Sequence, residues 1–412
     1  MKELHTGSLF WPTTLNSPAE YPSITSNKKV KVAIVGGGMS GTICGYILAK
    51  SGIEAAMLER ESVAGGSTSA NTGLLQFSND IMLWELADQI GEYDAVRFYR
   101  GCLDAVRQLG EVAAQLPVDV GFIPRSSLYY ATSEQELPML RKEYEMLLKH
   151  GFDVSFLEAD DISRQFPFRK PGAIVAQGDA EVNPFQFVQG VSAAAVEAGL
   201  QIYEHTDIVK HEQSAEGRQL LRTADGWEIE AEHVIFAIGY EPEELRGQLV
   251  KANINRSFAA VTVVQDDAKL RANWPGQCLI WETARPFLYL RTTVDGRIVV
   301  GGLDEMTEAP IESEKLRRKR TDKLLEKITA LFPMLDQPLE FEWSATFGES
   351  RDNLPFIGAD PKMPGVYYCL GYGGNGTVYS MMAAYMLRDM INGEAHPLSS
   401  IVRLDRPSLL KV

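Results

Sequence analysis

Three glycines carry the first chemical signal in this chain. Gly36, Gly38 and Gly41 are spaced G-x-G-x-x-G and follow directly on the apolar, β-branched run 31–35. In such a turn the first glycine permits the bend, the second lets backbone approach a pyrophosphate, and the third packs helix against strand. Glycine triplets also occur in ordinary turns, so the flanks decide. The sequence predicts a strand before the turn, a helix over 39–51 closed by Gly52, and a second strand over 54–58 that ends at Glu59. The helix would turn its free N–H groups toward phosphates. Glu59, about 20 residues past the first glycine, is placed to accept hydrogen bonds from an adenosine ribose, and a carboxylate there argues against a 2′-phosphate. This unit predicts a dinucleotide site without telling FAD from NAD.

A second glycine-rich turn, Gly371-Tyr372-Gly373-Gly374-Asn375-Gly376-Thr377, opens a helix expected over 377–391, in which Met381, Met382, Tyr385 and Met386 read as packing. A helix N-terminus carries partial positive charge and unpaired N–H groups. Glycine is permissive rather than specific, so a plain helix start accounts for the same residues.

Other elements must position these turns. Tyr99, Leu103, Val106, Leu109 and Ala113 recur at helical steps within 93–116, and a further helix is expected over 134–150 after a strand at 128–131. Extended runs at 259–264, 278–282, 287–291 and 297–300, with Asp295-Gly296 as a hairpin turn, predict an antiparallel sheet. The charged stretch 312–327, with Arg317-Arg318-Lys319-Arg320, reads as the solvated face of a helix lying on Leu316, Leu324, Leu325, Ile328 and Leu331. The first thirty residues read as an irregular arm anchored by Phe10, Trp11 and Tyr21.

With 412 residues the chain exceeds what one hydrophobic core usually serves, so two domains are expected. The formal charge of -15 disfavours nucleic acid and anionic membranes as partners and favours a small-molecule substrate. Cys44, Cys102, Cys278 and Cys369 lie far apart without a C-x-x-C pair, which predicts reduced thiols rather than zinc or disulfides. The six histidines stand singly in polar surroundings, as ordinary surface residues do. No apolar run approaches the roughly 20 residues a bilayer span needs, so no integral membrane association and a cytoplasmic enzyme are expected.

Four further stretches carry a resemblance: 64–74 (AGGSTSANTGL), 172–184 ending Val182-Asn183-Pro184, 234–239 (VIFAIG) and 352–358 (DNLPFIG). Together with the glycine turns they resemble the D-amino acid oxidase-like (DAO) FAD family, which includes glycine oxidase, sarcosine oxidase and γ-glutamylputrescine oxidase. The arm, with Leu9-Phe10-Trp11 and Tyr21-Pro22, is similar to that of the γ-glutamylputrescine oxidase branch. The resemblance implies an α/β Rossmann-type FAD-binding domain from residues 1–92, 156–250 and 343–412. An α+β substrate domain with an antiparallel sheet would come from 93–155 and 251–342. It implies FAD contacts from Gly36, Gly38, Met39, Ser40, Gly41, Glu59 and Arg60, and from Gly66, Ser67, Thr68, Asn71, Thr72, Gly73 and Leu74. Further contacts are implied from Ile208, Val209, Ala237 and Gly239, and from Gly371, Gly373, Gly374, Asn375, Gly376 and Thr377 at a turn facing the flavin.

The implied reaction moves hydride from carbon to flavin N5 across a C–N bond; the imine is then hydrolysed, and oxygen is the expected acceptor, giving hydrogen peroxide. A dehydrogenase passing electrons to a quinone or carrier is one alternative reading, and a flavin-binding protein without turnover is another. Glycine oxidase-like members clamp the substrate carboxylate with arginines; by motif these positions fall at Phe347 and Gly374. The lysine of sarcosine oxidase-like members falls at Val378, and their flavin-tethering cysteine near Ala345. These departures imply an amine or N-substituted amino compound as substrate, and FAD bound non-covalently. Arg291 and Arg351 are the candidates for an anionic substrate group, an exposed strand arginine being an equal account of the first. Tyr289, Phe347 and Tyr372 are candidates to wall an apolar slot over the flavin, and core packing explains aromatics as readily. No triad, metal box or paired-carboxylate motif stands out, and the catalytic residue is left open.

Overall fold

The run 32–35 is apolar without a break because its strand is covered on both faces. In the computed structural model, which describes residues 4–239, 252–307, 309, 311–371 and 373–410, this run lies in the strand Lys28–Val35. Val32 and Ile34 share a core with Ile43, Ile47 and Met381, whereas Ala33 and Val35 join Ala56, Leu58 and Phe236 on the other side. Such two-sided burial is the habit of parallel sheets. The sheet order is Phe356–Ala359, Val366–Leu370, Glu228–Phe236, Lys28–Val35, Ala55–Leu58, Gln201–Tyr203. Along this order all pairings are parallel except the first, and Gln219–Thr223 and Ile208–Gln213 add antiparallel pairings beside Glu228–Phe236. Helices Met39–Lys50 and Gly376–Ile391 pack together on one face, and Ser40 Oγ meets Ser380 Oγ at 2.8 Å.

A second sheet runs His5–Ser8, Leu339–Ser350, Ala252–Thr262, Ile298–Met306, Leu288–Thr292, Leu279–Glu282, Ile123–Tyr130, Gly172–Glu181, Leu74–Leu75. The expected turn at Asp295-Gly296 is present, with Gly296 N donating to Thr293 O at 2.9 Å. The runs expected in an antiparallel sheet do pair antiparallel, and Leu279–Glu282 adds a parallel pairing to Ile123–Tyr130. A long intervening stretch separates these two strands, so no hairpin dictates their direction. The segment 156–250 also divides between sheets. Gly172–Glu181 pairs with Ile123–Tyr130 in the second, and the chain rejoins the first only after helix Pro184–Glu197. His5–Ser8 and Leu339–Ser350 likewise carry parts of the 1–92 and 343–412 segments into the second sheet.

The basic stretch lies on helix Glu314–Leu331, whose buried stripe is Thr321, Leu324, Ile328 and Leu331. Leu316, expected in that stripe, is exposed instead; stepping back by three or four from Thr321 reaches Arg317, not Leu316. Arg317 and Arg320 pair with Glu342 and Glu305, while Arg318 and Lys319 are exposed.

The arm covers its own chain. Trp11 is 2% exposed, and its Nε1 donates to Asn71 O at 2.5 Å. Phe10 packs on Phe341 with ring centroids 5.2 Å apart, and Tyr21 N donates to Glu204 Oε2 at 2.8 Å. Trp11→Phe should cost about 1–3 kcal/mol by leaving the Asn71 carbonyl unpaired. Thermal unfolding checks this, and an unchanged midpoint would remove the arm from the account of the 64–74 segment. Among the described residues no helix is long and apolar enough to cross a membrane.

Candidate active site

The first glycine turn is closed to side chains at Gly36 and Gly41 and open at Gly38. Gly36 adopts φ +106, and its N–H donates to Leu58 O at 2.8 Å. A Cβ on Gly36 would lie 2.5 Å from Ala237 O, and one on Gly41 would lie 1.9 Å from Gly36 O. At Gly38 a Cβ would meet only Thr68 Oγ1, at 3.3 Å, so the space in front of it is open to a pyrophosphate. Helix Met39–Lys50 begins there without a side-chain cap, the arrangement that favours an anion. Glu59 accepts N–H bonds from Gly37 at 2.6 Å and Glu61 at 2.8 Å. Burial outweighs both bonds and holds its carboxyl above the ordinary range. Each oxygen retains a lone pair for a ribose hydroxyl. Arg60, beside it, is partly buried.

The distant stretches converge on this turn. Met39 N donates to Thr68 Oγ1 at 3.0 Å, and Gly66 starts the short helix Ser67–Ala70. Asn71 Nδ2 reaches Thr377 Oγ1 at 3.3 Å, and Gly73 N donates to Asn71 Oδ1 at 2.6 Å. Thr206 N donates to Glu59 O at 2.8 Å, bringing the chain just before Ile208 to this end of the sheet. The Ile208 side chain is buried and that of Val209 exposed, so a nucleotide contact there would fall to their backbone. Ala237 N donates to Val35 O at 2.8 Å, and Gly239 adopts φ +62 with open space at its Cβ position. In the C-terminal turn, a Cβ on Gly371 would meet Gly376 O at 3.2 Å. Gly373 adopts φ +100 and donates to Gly348 O at 2.8 Å, and Asn375 Nδ2 donates to Gln76 O at 2.6 Å. Helix Gly376–Ile391, like the first, starts without a side-chain cap. Tyr372 lies outside the described residues.

Between these turns and the second sheet lies a cavity of about 310 Å³. Asn71, Thr72, Leu74 and Gly373 to Gly376 form one side, and Trp281, Phe287, Tyr289 and Phe347 wall the other. Alternate residues of a strand share a face, and Trp343, Ala345, Phe347 and Glu349 all line the cavity from Leu339–Ser350. Tyr289 lies flat over its cross-strand partner Gly301, where a Cβ would come within 2.4 Å of the ring. The remaining polar lining of the cavity is Ser67, Gln76, Ser78, Asn79, Asp80, Asn255, Ser257, Arg285, Asp304, Thr346 and Glu349.

Asp304 reaches the cavity through a β-bulge. Arg256 pairs with Glu305 and Phe258 with Gly302, so Ser257 alone faces both Leu303 and Asp304. Gly302 at φ +133 and Leu303 at φ +59 absorb the extra residue, and the bulge re-aims the side chain that follows. Burial pushes the Asp304 carboxyl up to about 6 against the pull of the neighbouring Ser257 hydroxyl, the negative charges of Asp80 and Glu349 adding and Arg285 opposing. Burial also raises Glu349, followed by the charge of Asp80, although Asn255 Nδ2 donates to its Oε2 at 2.8 Å. Asp304 Oδ1 and Asn255 Oδ1 are buried without a hydrogen-bond partner among the described residues.

The sequence profile of the DAO family, FAD dependent oxidoreductase, matches residues 31–390. The chain belongs to the DAO family. It is similar to the glycine oxidase of Geobacillus kaustophilus (strain HTA426), 25% identical over 375 residues that cover 87% of this chain and 92% of that protein. It is also similar to the gamma-glutamylputrescine oxidoreductase of Escherichia coli (strain K12), 22% identical over 409 residues, 97% of this chain and 92% of that protein. The crystal structure of glycine oxidase from Geobacillus kaustophilus shares its fold, with a TM-score of 0.77 at 20% identity, covering 92% of this chain and 99% of that one. The protein is thus an FAD dependent oxidoreductase with a Rossmann-type nucleotide half and an α+β half.

In this DAO-family chain neither arginine candidate reaches the cavity. Arg291 is 2% exposed, and its Nε, Nη1 and Nη2 donate to Thr72 O, Thr292 O and Val182 O at 2.8, 3.3 and 2.7 Å. Its guanidinium lies 4.8 Å from the Trp11 ring and 3.8 Å from Glu181. It therefore braces the 71–73 loop from behind, correcting both the substrate-anion reading and the exposed-arginine reading. Gly73, at φ +76, leaves it space: a Cβ there would lie 2.5 Å from Nη2. A strand arginine looks alike in sequence whether it meets solvent or is roofed by an arm. Arg351 is exposed in the turn after Leu339–Ser350, outside the cavity lining. Of the aromatic candidates, Tyr289 and Phe347 do line it. Sequence reasoning missed Asp80, Asn255, Arg285, Asp304 and Glu349; only Glu349 had a readable signal, its spacing of two from Phe347, which puts both on one face once 339–350 is a strand.

Proposed function

We propose that this enzyme oxidises a C–N bond of an amine or N-substituted amino compound, with FAD held non-covalently and oxygen as the acceptor. The observation that carries this reading is at Gly374. Where the motif alignment puts a carboxylate-clamping arginine, the Asp80 carboxylate accepts the Gly374 N–H at 2.9 Å and occupies the space a side chain would enter, a Cβ falling 2.9 Å from its Oδ2. Phe347 fills the other arginine position. An α-carboxylate would meet like charge here. The 22% identical gamma-glutamylputrescine oxidoreductase supports an amine substrate, and the 25% identical glycine oxidase supports the same class of bond.

FAD, when bound, supplies the hydride acceptor. The chain supplies placement: the glycine turns at 36–41 and 371–376 and Glu59 are the groups that would hold it, with two uncapped helix starts facing its negative charge. The parallel sheet forms the FAD half, and the second sheet forms the substrate half. Trp281, Phe287, Tyr289 and Phe347 orient substrate and exclude water from its carbon. Cys44, Cys102, Cys278 and Cys369 are buried away from the cavity lining, which supports FAD without a thioether link.

Purified protein should be yellow, and acid should release its flavin quantitatively; flavin left on the precipitated chain would reject non-covalent binding. Under anaerobic conditions amines should bleach the flavin faster than glycine or D-alanine do, and the reverse order would overturn the reading. Rapid recolouring in air is expected. Slow recolouring in air that a quinone accelerates would assign a dehydrogenase instead.

A further inference from the structure

The cavity lining carries more carboxyl groups than cations. Asp80, Asp304 and Glu349 face a single guanidinium, Arg285, which donates to Asp80 O at 2.5 Å and lies 3.9 Å from the Phe287 ring. Asn255 is 5% exposed, and its Oδ1 is an acceptor with no donor; Asp304 Oδ1 is in the same condition, while Gln76 Nε2, Trp281 Nε1 and the Ser257 hydroxyl are buried in the same lining without partners among the described residues. Buried acceptors without donors are costly, and a ligand bearing N–H groups relieves that cost. Among the described residues no group of three His, Cys, Asp or Glu side chains could hold a metal ion, so an organic cation is the occupant that fits. The Trp281 and Phe347 faces suit a cation or its methylene chain equally.

The reacting nitrogen cannot stay this cation. Hydride leaves carbon only as the nitrogen lone pair forms the C=N bond, so that amine must be the free base when hydride leaves, its ammonium proton passed to solvent or to a carboxylate of the lining. An ammonium that stays paired through the reaction is therefore a different nitrogen of the same substrate. The lining also has length to separate the two: Glu349 stands four residues along its strand from Ala345, roughly 13 Å of extended chain.

We infer that the substrate carries a second, non-reacting ammonium held by Asp304, Glu349 and Asn255, which places it in the α,ω-diamine or polyamine class. This rests on the amine reading above. The test separates the two by measuring binding and turnover independently on the FAD-loaded protein. Calorimetric titration with diaminobutane and diaminopentane, against butylamine and pentylamine, should show the diamines binding about tenfold tighter or more. Asp304→Asn should reduce that preference to within about threefold, chiefly by weakening the diamines, with circular dichroism confirming the fold. Glu349→Gln, at a more open position, should move the preference the same way and serves if Asp304→Asn does not fold. Equal binding of diamines and monoamines, or losses that fall equally on both, would overturn the inference. Amines that bleach the flavin with no diamine preference would leave the amine reading standing alone. Tight, Asp304-dependent diamine binding without bleaching would do the opposite. Tightest binding by amino acids, drawn to Arg285, would overturn both.

Discussion

Gly41→Ala is expected to give a folded protein that purifies without FAD. The added methyl would lie 1.9 Å from Gly36 O and 3.0 Å from Gly36 C. Both are backbone atoms of the turn itself, so no side-chain rotation relieves the contact. Either helix Met39–Lys50 slides away from strand Lys28–Val35 or the turn opens, and each moves the N–H groups that would face the pyrophosphate. Overpacking of this kind costs about 1–3 kcal/mol where neighbours yield and more where they do not. Spent on the bound geometry, about 3 kcal/mol lowers FAD affinity roughly 100-fold. Gly45→Ala is the control on the same helix: its methyl would meet Leu200 Cδ2 at 2.7 Å, the far end of a flexible side chain. That variant should keep its colour with a small loss of stability. Flavin absorbance per protein measures both, and a fully loaded Gly41→Ala would remove this turn from the nucleotide site.

The contrast between this turn and the cavity shows which parts of the molecule its sequence makes legible. The turn is local: strand, glycines, helix and Glu59 are consecutive, so their spacing encodes their geometry. The helices Met39–Lys50, Glu92–Gln115 and Gly376–Ile391 fall where the sequence predicts, to within a residue, and the strand Lys28–Val35 begins three residues before the predicted run 31–35. The cavity is non-local. Asp80 comes from a stretch without periodicity, and Asn255 and Glu349 meet across an antiparallel register. Asp304 is harder still, because the bulge opposite Ser257 breaks the alternation by which a strand face is read. Arg291 was misread for a related reason. What decides its role is the arm, more than 270 residues away, whose Trp11 closes over it. The missing arginines at Phe347 and Gly374 were visible from sequence, but their meaning was not: that Asp80 occupies the space beside Gly374 follows only from the fold.

The segment 352–358 shows the same limit from the other side, since its motif was recognisable while its physical purpose was not. Asp352 and Arg406 form a bidentate pair, Nε to Oδ2 and Nη2 to Oδ1 both at 2.7 Å, with side chains 0% and 1% exposed. Ser408 Oγ donates to Oδ2 at 2.5 Å, and Arg406 also donates to Leu354 O and Pro355 O at 2.9 and 2.8 Å. The pair fastens the C-terminal residues to the turn before the edge strand Phe356–Ala359. Arg406→Ala should therefore cost about 3–5 kcal/mol, because it strands a buried carboxylate rather than merely deleting a contact. Adding Asp352→Asn should recover part of that loss, as expected of coupled partners. The pH dependence gives a sharper check. Burial is the largest single influence on Asp352 and pushes its carboxyl up, but the Arg406 bonds and charge, with Ser408 and the Leu354 N–H, together outweigh it and hold the group below its ordinary value. A depressed carboxyl stabilises the fold above the ordinary range near about 4 and loses that contribution as pH falls through its lowered value. Without Arg406 burial dominates and the carboxyl rises, so the sign reverses: the variant loses stability as pH climbs through the raised value. Melting temperatures of Arg406→Ala relative to the parent should thus fall further behind between about pH 5 and pH 8. A constant difference across that range would show that the Arg406 contribution is packing alone.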